Sequence, residues 1–126
     1  LIAADTSTWI AFIQGNGGKD VELLDSALAD RQVLMAPAVL AEILSATKLP
    51  GEVKDSLSNI PLIEITDGYW ERVGALRAKV LAKGRKARLG DAMIAQSCID
   101  RGISLLTRDK DFRSFAEAAG LKLALP

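Results

Sequence analysis

Apolar residues along this chain alternate between short unbroken runs and longer stretches with helical spacing. The runs Leu1–Ala4, Val33–Ala36, Pro61–Ile65, Ile103–Leu106 and Leu121–Leu125 predict five short strands. Between them lie helical segments. Ser7–Gln14 reads as a helix stopped by Gly15, Asn16, Gly17 and Gly18, and Val21–Ala29 carries a stripe of Val21, Leu24 and Leu28. Pro37 suits the first turn of a helix containing Val39, Leu40, Ile43 and Leu44. Pro50 and Gly51 break the chain before another short helix. Asp67 is placed to cap a long helix whose inner face would carry Trp70, Val73, Leu76 and Val80, ending at Gly84. Asp91–Asp100 predicts a helix with Ile94, Ala95, Cys98 and Ile99 inward, ended by Gly102. Phe112, Phe115, Ala116 and Ala119 predict a last one before Gly120.

Strands alternating with helices imply the α/β class: a three-layer sandwich with a mostly parallel central sheet flanked by helices. Right-handed crossovers bring the strand C-terminal ends to one edge, where sites in such folds lie. With 126 residues and no repeat or linker, residues 1–126 read as a single domain. No apolar run approaches the ~20 residues of a membrane helix, and the N-terminus does not read as a signal peptide.

Composition narrows the chemistry. There is no histidine, which excludes Ser-His-Asp and Cys-His catalysis and proton shuttling through imidazole. The lone Cys98 cannot form an internal disulfide, suits a reducing cytoplasm and falls on an apolar stripe as a core residue. One cysteine without histidine leaves no ordinary zinc site, so any metal is a hard, oxygen-seeking ion such as Mg²⁺ or Mn²⁺. Formal net charge is zero, but charge is unevenly spread. From Arg72 to Asp91 no acid interrupts Arg77, Lys79, Lys83, Arg85, Lys86 and Arg88. Lys83, Arg85, Lys86 and Arg88 are candidate phosphate contacts, although cations at a helix C-terminus also suit its dipole.

Four acids fall where the strands deliver them. Asp5 follows the first strand and Asp109 the fourth. Asp91 opens a helix leading into the fourth strand, and Glu42 sits in the helix after the second. If the first and fourth strands are neighbours, Asp5 and Asp109 leave the sheet side by side. Each acid alone has a local explanation as a cap or a solvated helical residue. Together, at one sheet edge, they repel and invite a cation. A hard divalent ion there would activate water and orient a phosphodiester.

These residues also carry a resemblance. Ala4-Asp5-Thr6-Ser7-Thr8-Trp9-Ile10, Ala41-Glu42-Ile43-Leu44, Gly90-Asp91-Ala92-Met93-Ile94-Ala95 and Leu106-Thr107-Arg108-Asp109-Lys110-Asp111-Phe112 resemble, in order and spacing, the four motifs of PIN domains, specifically VapC-type toxins of bacterial toxin–antitoxin pairs. The resemblance spans nearly the whole chain. It implies a sheet of order 3-2-1-4-5 and a metal-dependent endoribonuclease. Asp5, Glu42, Asp91 and Asp109 would hold one or two Mg²⁺ or Mn²⁺ ions, and a metal-activated water would cleave RNA. Ser7 and Thr107 match supporting hydroxyls, while Asp111 would be a cap or outer partner to Asp109. A homodimer, a cognate antitoxin and a cytoplasmic setting are also implied. Trp9, Phe12 and the 21–49 region would line the antitoxin groove, unless Trp9 and Phe12 are simply core. Two alternatives stay open: an RNA-processing PIN nuclease without antitoxin, and a non-catalytic PIN-like module binding RNA or protein. An aspartate-type phosphatase fits less well, because Ser7 stands where a second aspartate is needed.

Overall fold

The computed structural model describes residues 1–126. Its elements run β1 (Ile2–Ala4), α1 (Thr6–Ile13), α2 (Lys19–Ala29), α3 (Pro37–Leu44), α4 (Gly51–Ser58), α5 (Tyr69–Ala82), α6 (Leu89–Arg101), β2 (Ser104–Leu106) and α7 (Phe112–Ala119). Pro37 occupies the first turn of α3, where its missing N–H has no partner to lose. Gly102 ends α6 in the left-handed region at φ 72°, which lets its N–H reach back to the Cys98 and Ile99 carbonyls and turns the chain straight into β2.

β1 and β2 pair in parallel, with Ile2 opposite Ser104, Ala3 opposite Leu105 and Ala4 opposite Leu106. The first and fourth apolar runs are therefore neighbours, as expected. The other three expected strands do not form ladders. Val33 bridges Ile2, Leu62 bridges Met35 and Leu123 bridges Leu105, each in parallel and each through one residue. Met35 illustrates the pattern: its N–H donates to the Pro61 carbonyl and its own carbonyl accepts from Ile63. Two residues later Pro37 begins α3, so the segment has no room to extend its pairing. The expected runs at 33–36, 61–65 and 121–125 are thus bridged flanks of a two-stranded ladder.

The core is one cluster of 27 buried residues to which every helix contributes, from Trp9 of α1 to Phe112 and Phe115 of α7. Cys98 is fully buried in it, and burial pushes its thiol up to about 12. Two expectations about α5 need correction. The helix is entered through Gly68 at φ 81°, not capped by the Asp67 side chain. Its buried stripe is Tyr69, Val73, Leu76 and Val80, while Trp70 is 57% exposed. Tyr69 takes the inner position because its ring buries while its hydroxyl, donating to the Met93 carbonyl at 2.7 Å and accepting from Ser97, ties α5 to α6. In α7 the buried alanine is Ala118; Ala119 faces outward.

Candidate metal centre at the ends of β1 and β2

Asp5 is the first residue beyond β1 and is 3% exposed. It caps α1 by accepting the Thr8 N–H at Oδ1, 3.0 Å. The Ser7 hydroxyl lies 2.7 Å from Oδ1 and 2.9 Å from Oδ2, and Thr107, just past β2, donates to Oδ2 at 2.6 Å. A buried carboxylate that must stay charged needs such donors. Burial nevertheless outweighs them and holds Asp5 above the usual carboxylate range, with Asp109 adding to the push. Three protons serve about four acceptor sites, so the carboxylate retains capacity for one further partner.

Asp91, in the first turn of α6, converges with Asp109 and Asp111 from the β2–α7 loop. One carboxylate oxygen from each lies within 4.8 Å of the others. All three are partly buried. Burial first, then the charge of Asp109, raises Asp91 to about 6, with smaller pushes from Glu42 and Asp5 and a partial offset from Arg88. The carboxylates named from the sequence therefore share one electrostatic neighbourhood. Glu42 reaches it from the exposed side of α3, where its Oε1 accepts the Thr6 hydroxyl at 2.9 Å and its carboxylate lies against Gly90.

The loop after β2 has its own order. Thr107 Oγ1 accepts the Asp109 N–H, and Asp109 Oδ1 accepts the Asp111 N–H, both at 2.9 Å. This is the local turn chemistry expected of Thr and Asp. Asp111 begins α7 without a side-chain cap bond and stands 3.6 Å from the Lys86 ammonium. The trio contains both loop aspartates, so Asp111 stands within reach of Asp91 as well as Asp109. Lys86–Asp111 is the sole ion pair made by any of these acids. The donor set is all carboxylate and crowded. That is the donor chemistry a hard divalent ion requires.

Sequence reading missed the residues behind this front. Thr8 donates its hydroxyl to Asp20 Oδ2 at 2.9 Å. The Arg108 guanidinium grips Asp20 with two bonds, Nε to Oδ2 at 2.7 Å and Nη2 to Oδ1 at 3.0 Å, and also donates to the Gly17 carbonyl. Burial would raise Asp20, but the bonds from Arg108 and Thr8 hold it below its ordinary value. The available signal was the charge of Asp20 in the first turn of α2, just after two glycines, which nothing linked to Arg108 across the chain.

The basic block joins α5 to α6. Lys83 closes α5, Gly84 turns the chain at φ 73°, and Arg88 is the N-cap of α6. Arg77 pins this loop by donating to the Ala87 carbonyl at 2.8 Å. Lys86 faces the acids; Lys83, Arg85 and Arg88 are exposed and make no ion pair. On the other flank, a small cleft of about 140 Å³ beside Asp109 is lined by Arg108, Lys110 and Arg113.

An apolar groove of about 440 Å³ runs between α1, α2 and α4, lined by Trp9, Phe12, Leu28, Val53, Leu57 and Ile60 among others. Trp9 is 1% exposed and meets Phe12 edge-on at 5.9 Å. Its indole Nε1 is the one buried side-chain polar atom without a hydrogen-bond partner. Trp9 is thus both core and groove wall.

A family model described as PIN domain matches residues 2–118. No curated protein matches the chain significantly. Among solved structures, DNA-bound VapBC from Salmonella typhimurium aligns with a TM-score of 0.73 and 22% identity over 97% of this chain and 95% of that one. VapBC-1 from nontypeable Haemophilus influenzae aligns at 0.74 and 15% identity with the same coverage. A toxin–antitoxin complex from Klebsiella pneumoniae aligns at 0.69 and 24% identity over 96% and 95%. At these identities the likeness establishes the fold.

Proposed function

This chain belongs to the PIN-domain family, and from that premise we propose that it is a Mg²⁺- or Mn²⁺-dependent endoribonuclease, the toxin of a toxin–antitoxin pair. The observation that carries the reading is the convergence of Asp91, Asp109 and Asp111. Asp91 is raised to about 6 by burial and by Asp109, Glu42 and Asp5, and only Lys86, 3.6 Å from Asp111, and a partial offset from Arg88 oppose the crowding. A protein that gathers more carboxylates than nearby cations can balance leaves a place for a metal ion.

Asp91, Asp109 and Asp5 would hold the ion, with Glu42 and Asp111 at its margin. When bound, such an ion supplies Lewis-acid chemistry toward a phosphodiester. The chain's own residues do the rest. Ser7, Thr8 and Thr107 keep Asp5 oriented at the floor of the site and oppose the rise that burial imposes on it. Lys86 and Arg88 on one flank and Lys110 and Arg113 on the other give a phosphate backbone cationic contacts on either side of the acids. With no histidine, proton transfer falls to carboxylates and water.

The partner reading rests on the α1–α2–α4 groove and on the structural relatives, which are toxin–antitoxin complexes. An apolar groove of this size suits an amphipathic segment that lays apolar side chains into it. A homodimer acting in the cytoplasm completes the proposal.

The deciding experiment incubates purified protein with total RNA and maps the cleavage ends. Cuts are expected with Mn²⁺ or Mg²⁺, are lost in EDTA, return on adding Mn²⁺, and are absent for Asp5→Asn. Cleavage that persists in chelator, or in Asp5→Asn, overturns the reading.

A further inference from the structure

Asp5 is held by a closed circuit of hydrogen bonds whose far side is an ion pair. Asp5 accepts the Thr8 N–H. The Thr8 hydroxyl donates to Asp20, and Asp20 is gripped by the Arg108 fork. The Arg108 backbone N–H donates to Ser7 Oγ at 3.2 Å, and the Ser7 hydroxyl returns to Asp5. This circuit joins the loop after β1, the start of α2 and the loop after β2. Asp109 is the next residue after Arg108, so whatever fixes Arg108 fixes the backbone that presents Asp109.

We propose that Asp20 and Arg108 are positioning residues that set the separation of Asp5 and Asp109. The alternative role for Arg108, a phosphate contact, is disfavoured by its bonds. Nε and Nη2 are both committed, to Asp20 and to the Gly17 carbonyl at 2.6 Å. The Asp20 side chain is only 9% exposed, so its charge is enclosed by this one cation and Thr8. Gly18 shows how closely the fit is drawn. A Cβ there would stand 2.7 Å from both Arg108 Nη2 and Asp20 Oδ1, and its φ of +140° is one that side-chain-bearing residues rarely adopt. The backbone has been brought against the ion pair at a position only glycine fills. Arg in place of Lys follows from the same geometry, because only a planar fork binds both carboxylate oxygens and a carbonyl together.

The inference rests on the nuclease reading for its consequence in catalysis but not for its test, which includes a readout without RNA. Asp20→Ala, Arg108→Ala, the double variant and Arg108→Lys are compared with the unaltered protein. Mn²⁺ affinity is measured by calorimetry, and kcat and KM on an RNA substrate. Each alanine variant is expected to weaken Mn²⁺ binding several-fold and lower kcat about 10–100-fold, with KM within about twofold, since a misplacement near 1 Å costs on that order. The double variant is expected to lose no more than either single one, because the two act through each other. Arg108→Lys is expected to restore part of the Mn²⁺ affinity; it also serves if the alanine variants fail to fold. Unchanged Mn²⁺ affinity in the folded variants overturns the proposal. So does a raised KM at constant kcat in Arg108→Ala beside a silent Asp20→Ala, which would make Arg108 a substrate contact. If the unaltered protein binds Mn²⁺ but cuts no RNA, the nuclease reading fails while the Mn²⁺ comparison still decides this one.

Discussion

Thr107 and Asp5 stand 102 positions apart in the chain, and the Thr107 hydroxyl donates to Asp5 Oδ2 at 2.6 Å. Parallel pairing of β1 with β2 puts Ala4 beside Leu106, so the residues that follow them emerge together. The bond follows from that register. Thr107→Val keeps the shape and removes the donor from a buried carboxylate. We expect a loss of about 1.5–3 kcal/mol in urea unfolding, a lower kcat, and recovery of most of both in Thr107→Ser. A stability equal to that of the unaltered protein would show that the hydroxyl does not serve Asp5.

Asp91 links stability to pH. Its folded value of about 6 lies above the ordinary 3.8, so the folded state binds its proton more tightly than the unfolded state does. Metal-free stability should therefore fall as pH rises from about 4 to about 6 and level off above. Asp91→Asn removes the penalty. Because the group is only half buried, the gain at pH 7 is discounted to about 1–2 kcal/mol, and it should vanish near pH 3.5. Urea titrations at both pH values in EDTA measure it. An Asp91→Asn protein less stable than its parent at pH 7 would refute the crowding argument.

A divalent ion that binds only the folded protein stabilises it by mass action. At about a hundredfold excess over its Kd, Mn²⁺ is expected to add about 2.7 kcal/mol, read as a rise in melting temperature. Asp91→Asn should lose most of that rise. Equal shifts in the two proteins would point to binding elsewhere.

Gly18→Ala tests the close approach to the Asp20–Arg108 pair. The added methyl meets two polar atoms at 2.7 Å at an unfavourable φ, so a destabilisation of about 1–3 kcal/mol is expected, with kcat reduced. Gly17→Ala, where a Cβ meets nothing within 4 Å, is the control and should be close to neutral. Similar behaviour of the two would mean that the loop relaxes.

The α1–α2–α4 groove predicts separable functions. Ser56 is exposed on its rim, and Ser56→Trp would occupy the groove without disturbing the buried Leu57 beside it. RNA cleavage is expected to persist while inhibition by the antitoxin weakens about 100-fold or more. Pull-down with the co-expressed partner and a cleavage assay give the two readouts. Undiminished inhibition would move the partner to another face.

Much of the helical frame was legible because it rests on local signals: Pro37 at a first turn, Gly102 and Gly120 at helix ends, and apolar stripes such as Val73, Leu76 and Val80. The phase of α5 was misread at its start, since Tyr69 and Trp70 are adjacent aromatics. The deciding factor, a hydroxyl partner on α6, lies 24 residues away at Met93. The strands at 33–36, 61–65 and 121–125 were overestimated for a related reason: apolar content signals burial, whereas ladder length depends on how soon a helix begins. At the site, the acids were visible because charge beside a strand end is a sequence feature. Asp20 and Arg108 were not, because an ion pair between residues 88 positions apart leaves no local trace.

β1 is flanked by residues from two distant stretches, Val33 on one side and Ser104–Leu106 on the other. A ribosome that has made only the first hundred residues has therefore produced every motif but the last, and the strand that would fix Asp5 against Asp109 still lacks its neighbour. Any product terminated before β2 lacks both that pairing and Asp109. The acid cluster is complete only once this pairing closes and brings the loop after β2 to Asp5.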